Sequence, residues 1–458
     1  MRAAKLIVPL ADRISLKEKV GYSLGDSASN FYWKTFEFFL MIFYTDVFGI
    51  SAAALGTMLL VTRLADAVAD PVMGSIADRT KTRWGHFRPY LLWGALPFAV
   101  AGVMTFTTPN LGSGAKLVYA YITYSLLMFI YTAVNIPYSA LMGVITPNSQ
   151  ERTSISSIRF IGAFTAGILV QYFTLPLVKF FGHGSDTRGW QLTMALYGVC
   201  AIVLLLLCFA STRERVTPPP QQKPDLKGDV AALITSRPWL VLVVVMLLVL
   251  AAFAIKGSDS AYYFKYFVKD EKLLPAFLVS NGLAFVAAVS VASWLAKIFG
   301  KKALFMFAIG AGGLIIGGFW LAKPSDIGLI FALQIVSSFV IGFNSPLVFA
   351  MFADVADEAE WRLGRRNTGL VFASAIFATK AGWALGAWVF GLVLTYFGYV
   401  ANADQTAHSL LGIVLSTSWI PCFMMVVACA LMVLYPLSEA MMVKIEADLK
   451  ARRKEIEA

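Results

Sequence analysis

Long apolar runs are the feature of this sequence that restricts its fold most strongly. Apolar residues make up 58% of the 458-residue chain and charged residues only 14%, whereas about a quarter of the residues in a soluble domain are charged. A helix crosses a bilayer with about 20 apolar residues, and about twelve runs approach that length. They lie near residues 20–45, 51–78, 89–108, 116–146, 156–181, 190–211, 238–268, 275–297, 302–322, 327–353, 368–398 and 411–436. The sequence therefore predicts an all-α integral membrane protein with about twelve transmembrane helices.

The net charge of +11 has a topological explanation. Most Lys and Arg residues fall in the termini and in the alternate loops on the same side, which is how cytoplasmic segments are marked under the positive-inside rule. This distribution argues against a nucleic-acid footprint and predicts that both termini are cytoplasmic. The charged tail, residues 438–458, is expected to be a solvated or surface-lying helix.

A polar, Pro-rich segment after the sixth run divides the chain into halves. The predicted parts are an N-terminal six-helix bundle (1–212), a cytoplasmic middle loop (213–237), a C-terminal six-helix bundle (238–437) and the tail. The halves share a motif, since Asn135 begins NIPYSALMG and Asn344 begins NSPLVFAMF. Two parallel six-helix halves are the major facilitator architecture, in which substrate and ion sites lie near the membrane midplane. We therefore expect the major facilitator fold.

The loop after the second run, GSIADRTKTRWGHFRP, resembles the hallmark loop of that superfamily. Its glycines permit a tight turn, and Asp78 can form ion pairs with Arg79 or Arg88 that close the cytoplasmic side. We interpret these three residues as a cytoplasmic gate. The alternative is that the basic residues only anchor the loop at the membrane surface.

Besides Arg159 and the residues at the ends of the runs, ten charged residues lie inside the apolar runs, where each costs roughly 2.5–3.5 kcal/mol at the centre of a helix. They are Asp26, Lys34, Glu37, Arg63, Asp66, Asp70, Lys256, Asp259, Lys265 and Lys380. Because of this cost, they are expected to face the bundle interior or an aqueous cavity. Lys34 and Glu37, like Lys256 and Asp259, are three residues apart and can neutralise each other locally.

Asp66 and Asp70 are four residues apart and so share a helix face. Two carboxylates at close range repel, and only Arg63 lies nearby in sequence. A small hard cation with oxygen ligands relieves this repulsion, as does a bound proton. We predict a cation-coupling site here. The alternative is a salt-bridge node between helices, for example with Lys380.

Several ordered motifs resemble the glycoside-pentoside-hexuronide:cation symporters, the family that includes the melibiose permease and glucuronide transporters. The resemblance covers about residues 18–440 and is carried by GYSLGDSASNFYW, FYTDVFG, RLADAVADPVMG, RWGHFRPYLL, YTAVNIPY, MFADVADEAEW and GLVFASAIFATKAG. It implies a secondary active symporter of a bacterial cytoplasmic (inner) membrane, which couples inward movement of Na⁺ or H⁺ to uptake of a sugar or glycoside. We expect a monomer among membrane lipids, with a small-molecule substrate, no cofactor beyond the coupling ion and no nucleic-acid partner.

The resemblance, together with the polar and aromatic residues of these runs, also indicates which residues bind the cation and the substrate. Asp66, Asp70 and Asp26 are expected to bind the cation. The expected substrate-binding residues are Asn30, Trp33, Tyr131, Thr132, Asn135, Tyr138, Arg159, Asn344, Lys380 and Trp383. The aromatic side chains can stack on a sugar, although packing between helices is the alternative for each.

The chain also departs from the melibiose permease. Where that protein has two acids and a tryptophan, this chain has Asn30, Asn135 and Ser139. The galactoside chemistry therefore does not carry over, but an Asn still donates to and accepts from a hydroxyl. The loss of two anions makes the expected cavity more positive, which favours an anionic sugar such as a hexuronide.

Two other functional classes are alternatives to a sugar symporter. A cation-coupled transporter of a non-sugar amphiphile, such as a lysophospholipid, would have the same fold. An enzyme is disfavoured because the sequence has no P-loop, no zinc-ligand spacing, no HExxH motif and no nucleophile elbow. Two acids on one helix face favour Na⁺ over H⁺ as the coupling ion.

Overall fold

The computed structural model describes residues 14–146, 149–215, 233–363 and 368–457, and these residues are predominantly helical. In the described part before the middle loop, the long helices are α1 (Leu16–Ile42), α2 (Ala52–Arg79), α3 (Arg88–Thr105), α4 (Ser113–Ile145), α5 (Ser149–Gly182) and α6 (Asp186–Ser211). After it come α7 (Arg237–Tyr262), α8 (Leu274–Phe299), α9 (Lys301–Gly317), α10 (Ile327–Gly342), α11 (Asn344–Leu363), α12 (Thr368–Tyr396), α13 (Ala407–Thr417), α14 (Trp419–Met432) and α15 (Glu439–Glu457). Turns of π-helix extend α1 over Phe43–Phe48 and α7 over Tyr263–Val268.

These helices supply the twelve expected spans when α10 with α11, and α13 with α14, are each taken as one interrupted helix. Within the described ranges, nine segments are long and apolar enough to cross a membrane by length and composition alone. Helices α1, α2 and α3 are not among the nine. Helices α1 and α2 carry six of the ten charges in the apolar runs, and these charges lower their apolar character. The all-α membrane fold predicted from the apolar runs is confirmed.

The chain divides into two compact units. The first comprises Met1–Ile50 and Ala65–Gln221, and the second comprises Ser51–Leu64 and Gln222–Ala458. The first half of α2 therefore groups with the second unit, which the apolar runs did not predict. The limits of the middle loop stay a prediction, because residues 216–232 lie outside the described residues.

In the first unit, α1 packs against both α5 and α6, and α3 packs against α4 and α6. Tyr32 of α1 is fully buried and fits against Gly102 of α3, where any Cβ would overlap its ring. Its hydroxyl lies 3.3 Å from the Ala99 carbonyl and 3.4 Å from the Met194 carbonyl. Tyr32 thus fixes α1 against its neighbours and belongs to the packing between helices.

In the second unit, α7 packs against α12 and α14, and α8 packs against α10. The tail helix α15 lies on this unit with one face buried. Met442, Ile445 and Leu449, spaced at three and four residues, join the same apolar cluster as residues of α7 and α11. The Trp361 indole N–H also donates to the Asp448 carboxylate at 2.9 Å. The tail is therefore a packed helix and not a fully solvated one.

Candidate functional site

The carboxylates of Asp66 and Asp70 meet at one side chain of α4. The Thr132 hydroxyl donates to Asp66 Oδ1 and lies 3.2 Å from Asp70 Oδ1. A hydroxyl has a single proton to donate, so it satisfies one carboxylate at a time. The two acids are therefore held within reach of one oxygen atom, and their negative charge is concentrated there.

This arrangement follows from the local sequence of two helices. Asp66 and Asp70 share a face of α2 because they are four residues apart, and α4 presents Thr132 among apolar residues. Thr132 is 2% exposed and Asp66 is 5% exposed, so these two side chains are removed from water, whereas Asp70 is only partly buried. Carboxylate and hydroxyl oxygens are the ligands that small hard cations prefer. The oxygen atoms of these three side chains are of the type that a cation site needs, and cation binding by the two acids stays a prediction.

Asp26 has a different environment from the other two acids. Its Oδ2 accepts from Arg159 Nε of α5 at 2.9 Å, and the Arg159 guanidinium lies over the Tyr138 ring, 5.1 Å from its centroid. The Arg159 charge therefore balances that of Asp26. One turn later on α1, the Asn30 side-chain amide donates to the Asp26 backbone carbonyl at 2.9 Å.

The aromatic residues of the predicted substrate site fall into two groups. Trp33 and Tyr131 stack with ring centroids 5.6 Å apart, and both remain partly exposed. Tyr138 is buried and stacks on Tyr22 at 4.6 Å, and each hydroxyl donates to the backbone carbonyl of the other residue, at 3.1 Å and 2.9 Å. Trp33 and Tyr131 thus offer ring faces, whereas Tyr138 joins α1 to α4.

The remaining predicted residues are divided between the units. In the first, Asn135 Oδ1 accepts from the Ser139 hydroxyl at 3.3 Å. In the second, Asn344 is the first residue of α11 and is buried, and Lys380 and Trp383 lie one turn apart on α12, partly buried. Their roles in substrate binding stay predictions.

The two short-range ion pairs expected from spacing have different outcomes. Lys34 Nζ contacts Glu37 Oε2 at 2.5 Å, as expected. Lys256 and Asp259 interact electrostatically, but their hydrogen bonds go to other residues, because Lys256 donates to Gln334 and Asp259 accepts from Thr417. Partners on α10 and α13 thus take the place of a direct hydrogen bond between the two.

Glu214, just after α6, is a residue that sequence reasoning missed. Its carboxylate accepts from the backbone N–H groups of His86, Phe87 and Arg88, at 2.8, 2.8 and 3.0 Å. These are unsatisfied donors at the start of α3, where a negative charge is also favoured by the helix dipole. Gly85 has φ +110°, and a Cβ there would overlap the Glu214 carboxylate. The glycine of this loop thus leaves room for an acid from a distant segment.

The predicted cytoplasmic gate has a partly different arrangement. The Arg88 guanidinium donates to the Phe209 carbonyl at 2.7 Å and the Trp84 carbonyl at 3.3 Å, so it ties the loop to α6. Arg79 is exposed in the last turn of α2. The side chain of Asp78 lies outside the described residues, and its gating role stays a prediction.

The segment that contains Glu214 also contacts α1. The Arg215 guanidinium donates to both carboxylate oxygens of Glu18 of α1, at 2.7 and 2.8 Å, and these hydrogen bonds raise the pKa of the Arg215 guanidinium. The Arg213 backbone N–H donates to the same carboxylate at 3.1 Å. Residues 213–215 therefore join α1 to the loop before α3.

Known proteins share both the sequence and the fold of this chain. The family described as MFS/sugar transport protein matches residues 21–439. The putative glycoside/cation symporter YagG of Escherichia coli (strain K12) is 39% identical over 392 residues, which cover 86% of this chain and 85% of that protein. The isoprimeverose transporter of Lactiplantibacillus pentosus is 38% identical over 424 residues, which cover 91% of this chain and 86% of that protein.

The inward-open structure of the xylose transporter XylE from E. coli aligns with a TM-score of 0.64 over 94% of this chain and 98% of that chain. At 15% identity this is a likeness of fold. The chain therefore belongs to the MFS/sugar transport protein family, as a multi-pass membrane transporter of the glycoside-pentoside-hexuronide:cation symporter type and not an enzyme.

Proposed function

We propose that this protein takes up a sugar or glycoside together with a cation that binds at Asp66 and Asp70. The observation that carries the proposal is the single Thr132 hydroxyl within reach of both carboxylates. Asp26 contributes less, because Arg159 already balances its charge. Na⁺ fits this set of hard oxygen ligands better than H⁺, which needs only one acid.

Coupling to a cation makes concentrative uptake possible. One charge that crosses a potential of about 100 mV releases roughly 2.3 kcal/mol. At about 1.4 kcal/mol per tenfold, this energy sustains a substrate ratio of roughly forty-fold across the membrane. Cation binding favours sugar binding, and the two halves then alternate so that both ligands reach the cytoplasm.

The substrate is a sugar or glycoside, bound near Trp33, Tyr131 and Asn30. The stacked Trp33–Tyr131 pair offers aromatic surface to the C–H faces of a sugar ring, and the Asn30 amide side chain has an oxygen acceptor as well as donors for sugar hydroxyls. Printed names of relatives refer to glycosides and to isoprimeverose, in line with this class. A hexuronide is the finer proposal, supported by the amides at Asn30 and Asn135, which stand where the melibiose permease has acids.

Ligand-induced thermal stabilisation of the purified protein tests the proposal, because a ligand of the folded state raises its stability by mass action. The panel contains neutral glycosides, hexuronides and lysophospholipids, each with and without Na⁺ at two pH values. We expect a glycoside or hexuronide to stabilise the wild type, and Na⁺ to enlarge the shift. The Asp66→Asn and Asp70→Asn variants should lose the enlargement by Na⁺.

Asp404→Asn is the matched control, since Asp404 is exposed and should retain the full effect of Na⁺. If both site variants respond to Na⁺ like the wild type, the cation site is elsewhere. If a lysophospholipid alone stabilises the protein, the sugar proposal fails while the fold stands.

A further inference from the structure

The second unit contains a buried acid that the proposed cation site does not include. Asp259 of α7 is fully buried, with 0% of its surface exposed. One of its oxygens, Oδ2, accepts from the Thr417 hydroxyl of α13. The other, Oδ1, has no hydrogen-bond partner among the described residues. Half of this carboxyl group is therefore unsatisfied in an apolar interior.

Tyr263 is the neighbouring polar group on the same helix. It follows Asp259 by four residues, which places both on one face, and the two side chains interact electrostatically. The Tyr263 ring is 1% exposed, and its hydroxyl also has no hydrogen-bond partner within the described part of the chain.

Lys256, one turn before Asp259, is stabilised by other groups. Its ammonium donates to Gln334 of α10 and lies over the rings of Phe319 and Phe277, at 4.7 Å and 5.8 Å from their centroids. The lysine thus has hydrogen-bonding and aromatic partners other than Asp259.

The backbone is irregular on both sides of this acid. Helix α7 passes into π-helix at Tyr263, and α13 ends at Thr417, where Ser418 (φ −116°, ψ −87°) interrupts the helix before α14. Turns of π-helix are frequent at functional sites, and interrupted membrane helices often flank ion sites. Both irregularities involve residues that interact with Asp259.

A carboxylate anion that lacks a donor on one oxygen loses more on transfer from water than its neutral acid does. Proton uptake at Oδ1 removes the negative charge, so the buried group is a neutral acid and no longer an anion. From this geometry we propose that Asp259 is a proton-binding site of the second unit, separate from Asp66 and Asp70. The carboxylate takes one proton from water to become a carboxylic acid, and no other bond changes.

Other charged and titratable groups lie on the helices packed against α7 or just beyond its end, and several of them are paired with other residues. They are Lys380 on α12, Cys422 and Cys429 on α14, Asp354 and Glu358 on α11 with their partners Lys301 and Arg362, and Lys265 with Asn402 beyond α7. Among the described groups, Lys256 is the charged one that acts electrostatically on Asp259.

Infrared spectroscopy of the purified full-length protein tests the site with protons alone. A buried carboxylic acid gives a carbonyl band distinct from that of a carboxylate, and we expect such a band to appear on acidification. Asp259→Asn, which keeps the side-chain shape, should lose this component. Glu37→Gln is the control, because Glu37 is already paired with Lys34, and it should keep the component.

Persistence of the full band in Asp259→Asn would overturn the proposal, and so would its absence from the wild type at every pH. If Asp259→Asn does not fold, Thr417→Val provides the test. That variant removes the donor to Oδ2, so the acid band should persist to higher pH than in the wild type. An unchanged pH dependence in Thr417→Val would also contradict the site.

Discussion

Thr132 is the residue on which the proposed cation site depends most directly. Asp66 and Asp70 are predictable as a pair from their spacing alone, but nothing in the spacing indicates which helix completes the site. Thr132 lies 62 and 66 positions away from the two acids, and one threonine among many on apolar helices carries no signal of its own. Only folding brings its hydroxyl to both carboxylates.

Replacement of Thr132 tests this contact. Thr132→Val removes one oxygen ligand while keeping the shape of the side chain. We expect the apparent affinity for the coupling cation to fall by about tenfold, because the bound cation loses one of its oxygen ligands, and a loss of about 1.4 kcal/mol is a factor of ten. Cation titrations of substrate uptake in proteoliposomes measure this change.

Thr132→Ser serves as the control, because it retains the hydroxyl and should keep most of the affinity. Equal cation dependence in the Val and Ser variants would mean that the hydroxyl takes no part in binding.

At the level of helices, the start of α3 is held by an acid from another segment. Glu214 accepts from three backbone N–H groups there. The N-terminus of a helix carries a partial positive charge, which a nearby acid stabilises. Glu214, in the sequence STRERV after the sixth apolar run, is a candidate for that acid. The sequence does not pair them, because 126 positions separate Glu214 from Arg88.

Glu214→Ala should therefore destabilise the first unit. Loss of a capping side chain costs about 0.5–2 kcal/mol, and here three donors lose their acceptor, so we expect a cost at the upper end of that range. The melting temperature of the purified protein, measured by intrinsic fluorescence, should fall clearly.

The control for this change is Asp404→Ala, which alters an exposed acid and should leave the melting temperature nearly unchanged. Equal melting temperatures for the two variants would show that the capping contact adds no stability.

At the scale of the whole molecule, the charge distribution predicts the topology in the membrane. Excess Lys and Arg in alternate loops predicts that α15 is cytoplasmic and that the loop between α9 and α10 faces outward. With the four native cysteines replaced by Ala, we expect a membrane-impermeant maleimide to label Ser325→Cys in intact cells. Ala451→Cys should be labelled only after the cells are permeabilised.

Both positions are exposed, so access to the reagent depends on the side of the membrane and not on burial. Labelling of Ala451→Cys in intact cells would place the tail outside and reverse the predicted orientation.

The apolar runs are sufficient to predict the membrane helices, because a chain in hydrocarbon must satisfy its backbone hydrogen bonds within each helix. The same local logic identifies Asp66 with Asp70, and Lys34 with Glu37. Contacts between distant segments cannot be predicted in this way. Asp26 and Arg159 are 133 positions apart, and Lys256 bonds to Gln334 and not to its neighbour Asp259. Periodicity along a helix shows which residues share a face, whereas the partner of a buried charge depends on which helix packs against that face.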